Sequence, residues 1–226
     1  MKLFLSGGGS GQDSFELDKK FIESIDKTKP ILYIPIAINT QKHPYPECLK
    51  WLKNNFKSFS FDNFIMWTEA DLKNKTEEDF EQFGGIYIGG GNTYKLLNGL
   101  KEFGTFKILK NLANKDIPIY GGSAGAIILT KSILCAGYLD ENEINLKDLS
   151  ALDLTQDYDI WCHYKDEMKE NLIKFKKDNN IIKILTIPED AGLYITENQI
   201  EVVGLSHVIL FDSNSEKVFN PGDIIA

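Results

Sequence analysis

A serine held between small residues is the first feature with chemical meaning. Gly121-Gly122-Ser123-Ala124-Gly125 fits the G-x-S-x-G nucleophile elbow. It falls where an apolar run, 117–120, meets a helical stretch, 124–130. So tight a turn strains the serine backbone, so its neighbours must be small, and all four are Gly or Ala. The turn lifts the hydroxyl clear of the sheet and aims it at a helix start, whose first N–H groups lack intrahelical partners and carry positive dipole. The competing reading is a glycine-rich turn that merely packs or holds a phosphate.

Gly89-Gly90-Gly91-Asn92-Thr93 is a second turn of this kind, between the run 85–88 and the next helix. Neighbouring parallel strands would set it beside the elbow. The N–H groups of Gly91 and Ala124 would then form an oxyanion hole, each donor worth on the order of 10²–10³ in rate. An ordinary helix entry is the alternative.

A serine nucleophile needs a base. His163 lies 40 residues beyond Ser123, in Asp159-Ile160-Trp161-Cys162-His163-Tyr164, and is the favoured candidate. His43, in His43-Pro44-Tyr45-Pro46, is a loop residue that could touch substrate, while His207 opens an apolar run and reads as core or edge. The base in turn needs a carboxylate to orient it. Glu189 is favoured and Asp190 is its rival, both in Ile187-Pro188-Glu189-Asp190 just after a strand; a solvated acidic turn is the alternative. A third glycine cluster, Ser6-Gly7-Gly8-Gly9-Ser10-Gly11, fails the dinucleotide fingerprint. From Gly7 the third glycine would be Gln12, and from Gly9 it would be Ser14. It reads as a tight turn bordering the cleft.

Alternating elements must carry these motifs. Short β-branched runs (2–5, 31–38, 64–67, 85–88, 117–120) are separated by helical patterns (14–27, 46–57, 76–83, and 92–113 broken near Gly104). That order predicts an α/β fold, a three-layer sandwich with a mainly parallel sheet and helices on both faces. After a helix at 165–177, strands crowd together at 182–187, 193–196, 200–205, 207–211 and 218–220. Turn signals such as Asp212-Ser213-Asn214 separate them, which suggests antiparallel additions at a sheet edge. Residues 139–158 are acidic and weakly patterned, and read as a long loop or lid.

Composition narrows the function. The 226 residues are 42% hydrophobic and 26% charged, ordinary for a globular chain, and read as a single α/β hydrolytic domain over 1–226. A net charge of −8 argues against nucleic acid as partner. All 25 basic side chains are lysine, so no planar guanidinium fork exists anywhere in the chain. Cys48, Cys135 and Cys162 form no CxxC and fit neither a zinc site nor a disulfide framework. No metal and no cofactor are expected. The apolar run at the amino terminus is too short for a signal peptide, and the longest apolar stretch, 31–38, is about half a membrane span and contains Pro35. A soluble, cytoplasmic protein without a membrane partner is the expectation; the sequence leaves the oligomeric state open.

The glycine turn with Asn92 and Thr93, the elbow, His163-Tyr164 and Ile187-Pro188-Glu189-Asp190 together resemble the serine peptidase family of aspartyl dipeptidase (dipeptidase E) and cyanophycinase. The four motifs occur in that family's order, and the 31 residues from Asn92 to Ser123 resemble its spacing. The resemblance covers nearly the whole chain. It implies a fold similar to class I glutamine amidotransferases and flavodoxin-like proteins, with serine in place of cysteine. It implies Ser123 as nucleophile, His163 as general base, Glu189 as orienting carboxylate, and the N–H groups of Gly91 and Ala124 as oxyanion hole, with Gly90, Asn92 and Thr93 near the substrate. Aspartyl dipeptidase resembles a reader of an amino-terminal Asp that uses an arginine downstream of the catalytic histidine. This chain has none, and Lys165, Lys169 or Lys174 would offer only a point charge, so strict aspartyl specificity is not expected. Gly122 also stands where some relatives carry a bulky residue. The expected activity is that of a serine peptidase hydrolysing short peptides, dipeptides with a free amino end among them, through a Ser-His-Glu triad and an acyl-enzyme. The alternatives are an esterase-type acyl hydrolase and a flavodoxin-like module that binds a small ligand without catalysis.

Overall fold

The computed structural model describes residues 1–213 and 215–225; Asn214, in the expected turn at 212–214, lies outside the described residues. Strands and helices alternate through the first part of the chain. In order they are β1 (Leu3–Ser6), α1 (Phe15–Ser24), β2 (Ile31–Ile34), α2 (Tyr45–Phe56), β3 (Phe64–Met66), α3 (Glu69–Leu72), α4 (Glu77–Phe80), β4 (Gly85–Ile88), α5 (Thr93–Glu102), α6 (Thr105–Asn114), β5 (Ile119–Gly122) and α7 (Ala124–Ile127). Local chemistry sets the boundaries. Thr68 with Asp71, and Thr76 with Asp79, close reciprocal capping boxes on α3 and α4. Asn92 caps α5 by accepting from the N–H of Lys95, and Gly104, at φ 74°, divides α5 from α6. The expected strand at 31–38 ends at Ile34, because Pro35 has no N–H to give a ladder. Its second half becomes a buried loop whose Ala37 carbonyl accepts from the N–H of Asn92 at 2.8 Å.

Seven strands form the main sheet in the order β3-β2-β4-β5-β1-β8-β9, with β8 (Ala191–Ile195) and β9 (Ile200–Gly204). The first five of these run parallel, and β8 and β9 add antiparallel at one edge. Successive residues face opposite ways. On β1, Leu3 and Leu5 join the core beneath α4 to α7, while Phe4 joins the core beneath α1 and α2. These two cores and the sheet between them make the three-layer sandwich.

The carboxy-terminal strands depart from expectation. β6 (Asp159–Cys162), β7 (Ile184–Ile187), β10 (Val208–Phe211) and β11 (Glu216–Phe219) form a separate four-stranded sheet, ordered β11-β10-β7-β6. Only β8 and β9 extend the main sheet. Alternation explains the second layer. Ile160, Leu185 and Leu210 point into the main core, whereas Trp161, Ile184 and Phe211 pack with Leu172 of α8 (Lys169–Asp178). A sheet buried on both faces has one partner layer on each side.

Residues 139–158 contain no helix or named strand, but they are not a lid over the cleft. Leu152 is fully buried, and the N–H groups of Ala151, Leu152, Asp153 and Leu154 donate to carbonyls of residues 128–131. Lys95–Glu143 and Lys101–Asp148 ion pairs hold the segment along α5. It is a strap on the α5–α7 layer. Among the described residues, no helix is long and apolar enough to cross a membrane.

Candidate active site

Register brings three loops to one rim. Ser6 pairs with Gly122, and Ile88 with Gly121, so the segments after β1, β4 and β5 leave the parallel sheet side by side. Ser123 stands between the other two. Its backbone has φ 49° and ψ −106°, a strained turn between a strand and a helix. Local packing enforces that turn. A Cβ on Gly121 would overlap the carbonyl of Gly125, and one on Gly125 would overlap the carbonyl of Ile88. The Ser123 N–H donates to the Ser6 carbonyl at 3.1 Å, tying the elbow to β1.

The second sheet delivers the other two groups. Cys162 pairs with Ile187, so His163 and the 188–190 turn leave neighbouring parallel strands together. The loop after β1 threads between that turn and the histidine. Gly7 accepts from the His163 N–H at 3.0 Å, and its own N–H donates to Ala191; the Gly9 N–H donates to the Glu189 carbonyl. The result is a chain of contacts: Ser123 Oγ is 2.8 Å from His163 Nε2, and His163 Nδ1 is 2.9 Å from Glu189 Oε1. Asp190 is elsewhere, accepting from the Ser206 hydroxyl at 2.7 Å. Glu189 is therefore the carboxylate within reach of the imidazole. Its side chain is half-exposed, so solvent screens its pull on the ring.

Sequence reasoning missed how the imidazole is seated. Gly8 has φ +119°, and a Cβ there would stand 2.6 Å from His163 Nε2. The ring packs against bare backbone, and Gly8 is what leaves room for it. Beneath the elbow the Cys162 thiol approaches the Ser123 and Ser6 carbonyls at 3.7 and 3.8 Å, and burial pushes its pKa up to about 12. It is a neutral packing group, not a rival nucleophile.

Gly90 and Gly91 border the serine directly. A Cβ on Gly90 would lie 3.4 Å from the Ser123 Cβ, and Gly91 has φ +135° with the Ala37 carbonyl where a side chain would go. Among the described residues, the N–H groups of Gly91 and Ala124 donate to no loop or turn carbonyl, unlike those of Gly89, Asn92 and Ser123 around them. Asn92 and Thr93 do not meet the expectation of lying at the substrate. Asn92 spends its side chain on the Lys95 N–H and the Glu141 carbonyl. Thr93 is fully buried, and its N–H and hydroxyl both donate to Asp140 at 2.8 and 2.5 Å. Both anchor the strap.

A cavity of about 590 Å³ opens beside Ser123, between the glycine loops and α2. Tyr33 and Tyr87 form its floor, and Ile38, Cys48 and Trp51 its far wall. Burial raises the pKa of both phenols, which stay neutral. His43 and Glu47 complete the lining. His207 is half-buried ahead of β10 and outside the cavity. Among the described residues, no group of three or more His, Cys, Asp or Glu side chains is placed to hold a metal ion.

Comparison with known proteins adds to this geometry. The model of a family described as Peptidase family S51 matches residues 3–203. "Peptidase E" of Haemophilus influenzae (strain PittGG) is 28% identical over 149 residues, which are 60% of this chain and 61% of that protein. The chain thus spans about three fifths of the length of the curated relatives it matches first. Two crystal structures share the fold. One, from Listeria monocytogenes EGD-e, has a TM-score of 0.69 at 22% identity and covers 91% of this chain and 98% of its own. The other, a peptidase from an acI-B1 Actinobacterium, has a TM-score of 0.67 at 19% identity, covering 100% and 96%.

Proposed function

We propose, from the premise that this chain belongs to peptidase family S51, that it is a serine peptidase hydrolysing short peptides. One observation carries the reading: a strained serine hydroxyl, an imidazole and a carboxylate in line, at 2.8 and 2.9 Å. Ser123 and His163, both at positive φ, meet at their side chains, and strained backbone of this kind clusters at functional sites. The "Peptidase E" designation of several relatives supports peptide substrates.

In this mechanism the Ser123 hydroxyl attacks the scissile carbonyl while His163 Nε2 takes its proton. The tetrahedral oxyanion forms between the N–H groups of Gly91 and Ala124. His163 then gives the proton to the leaving amine, the C–N bond breaks, and an acyl-enzyme remains on Ser123. Water enters, again activated by His163, and releases the acid. Glu189 accepts from Nδ1–H and so keeps Nε2 free to receive a proton. Ser123→Ala and His163→Ala should each abolish peptide turnover without unfolding the protein, read by dipeptide hydrolysis and circular dichroism. Retained turnover in either variant overturns the mechanism. Turnover of small esters but of no peptide would reassign the protein to acyl-ester hydrolysis.

A further inference from the structure

We propose that the cavity between β2, β4 and α2 receives a bulky, uncharged side chain of the residue whose carbonyl Ser123 attacks. The inference rests on the serine peptidase reading above.

Sheet order decides which half of the substrate lies there. His163 sits over Gly8, on the β1 side of Ser123, while Tyr33, Tyr87 and Trp51 lie on the opposite, β4–β2 side. The leaving amine must meet His163 Nε2 to be protonated, so it occupies the β1 side. The acyl half of the peptide is left facing the aromatic cavity.

The walls then choose the side chain. Tyr33 is 1% and Tyr87 5% exposed, and both phenols stay neutral, so the floor offers ring surface and no charge. Trp51 is 41% exposed, an indole with one side bare to the cavity and suited to a second aromatic or aliphatic group. Gly122 keeps the floor open. A Cβ there would stand 3.4 Å from the Tyr87 hydroxyl, and a longer side chain would fill the space next to Ser123. Among the described residues no lysine lines the cavity, and the chain contains no arginine. An acidic side chain would lose its hydration and meet no lysine or arginine; the ionisable groups beside it are the exposed His43 imidazole and the Glu47 carboxylate, and the buried floor offers it nothing.

The test uses the intact protein and aminoacyl-methylcoumarin amides of Phe, Leu, Ala and Asp. A fluorophosphonate probe runs alongside. Phe and Leu substrates should exceed the Asp substrate in kcat/KM by about tenfold or more, as expected when a charge is refused by an apolar pocket. Trp51→Ala should lower kcat/KM for Phe more than for Ala. A preference for Asp, or a Trp51→Ala variant with the same Phe-to-Ala ratio as wild type, overturns the pocket assignment. So does a labelled Ser123 with no turnover of Phe or Leu amides. Absence of both labelling and turnover overturns the serine peptidase reading, and the inference with it.

Discussion

Replacing Gly8 by alanine adds one methyl group far in sequence from either His163 or Ser123, yet it should nearly abolish the proposed peptide turnover. The added Cβ would stand 2.1 Å from His163 Cε1 and 2.6 Å from Nε2, whereas unstrained heavy-atom contacts begin at about 3.5 Å. The imidazole must withdraw by more than about 1 Å. It cannot do so and keep both its bonds, because Nε2 is held at 2.8 Å by Ser123 and Nδ1 at 2.9 Å by Glu189. A misplacement of about 1 Å in a catalytic group costs on the order of 10² in rate. The backbone adds a separate penalty. Gly8 has φ +119°, and a side chain there costs about 1–3 kcal/mol of stability. Gly8→Ala should therefore fold, melt a few degrees lower, and lose about 99% of kcat with little change in KM. The assays are steady-state dipeptide hydrolysis and a thermal melt. A variant that keeps wild-type kcat would refute the claim that the ring depends on its seat against Gly8.

Glu189→Gln should lower kcat about 10- to 100-fold, a moderate loss because the carboxylate is half-exposed, while Asp190→Asn should change it little; the reverse ranking in the same assay would make Asp190 the orienting group. Asp18 is 2% exposed on α1, and burial, opposed by the Ser14 hydroxyl at 2.7 Å, holds its pKa at about 7 instead of 3.8. The folded protein keeps a proton there that the unfolded chain has released, so its contribution to stability is full below pH 3.8 and lost as pH rises to about 7. Asp18→Asn should remove up to roughly 4 kcal/mol of that pH dependence, seen as a wild-type-minus-variant difference in urea midpoints that grows between pH 4 and 7. Thr93→Val should destabilise the fold by about 1 kcal/mol, because it removes the hydroxyl's hydrogen bond to the half-buried Asp140 carboxylate while the Thr93 N–H still donates there, and should leave substrate KM unchanged; a raised KM with unaltered stability would return Thr93 to the substrate.

Much of this was legible in the chain because the decisive signals are local. A G-x-S-x-G turn, a triple glycine before Asn92, and a histidine and a glutamate just past apolar runs each state their own geometry. The parallel order of the first five strands then follows from alternation. What stayed hidden depends on partners. The apolar runs at 184–187 and 208–211 announce strands, but nothing in Ile184 or Val208 says which sheet they join. Gly8 looks like any turn glycine until His163, far along the chain, is laid against it. Tyr33 and Tyr87 sit in continuous apolar strands, where both faces are buried and no pattern marks the residue that floors a cavity. Residues 139–158 lack periodicity because they follow the contours of α5 and α7, with Thr93 and Asn92 as anchors.

The central claim is that His163 activates Ser123. Reaction with a fluorophosphonate, followed by intact-mass measurement and peptide mapping, addresses it most directly. The account predicts a single adduct, on Ser123, formed by the native protein and slowed on the order of 10²–10⁴-fold in His163→Ala. An adduct elsewhere, or labelling of Ser123 at the same rate without the imidazole, would contradict it.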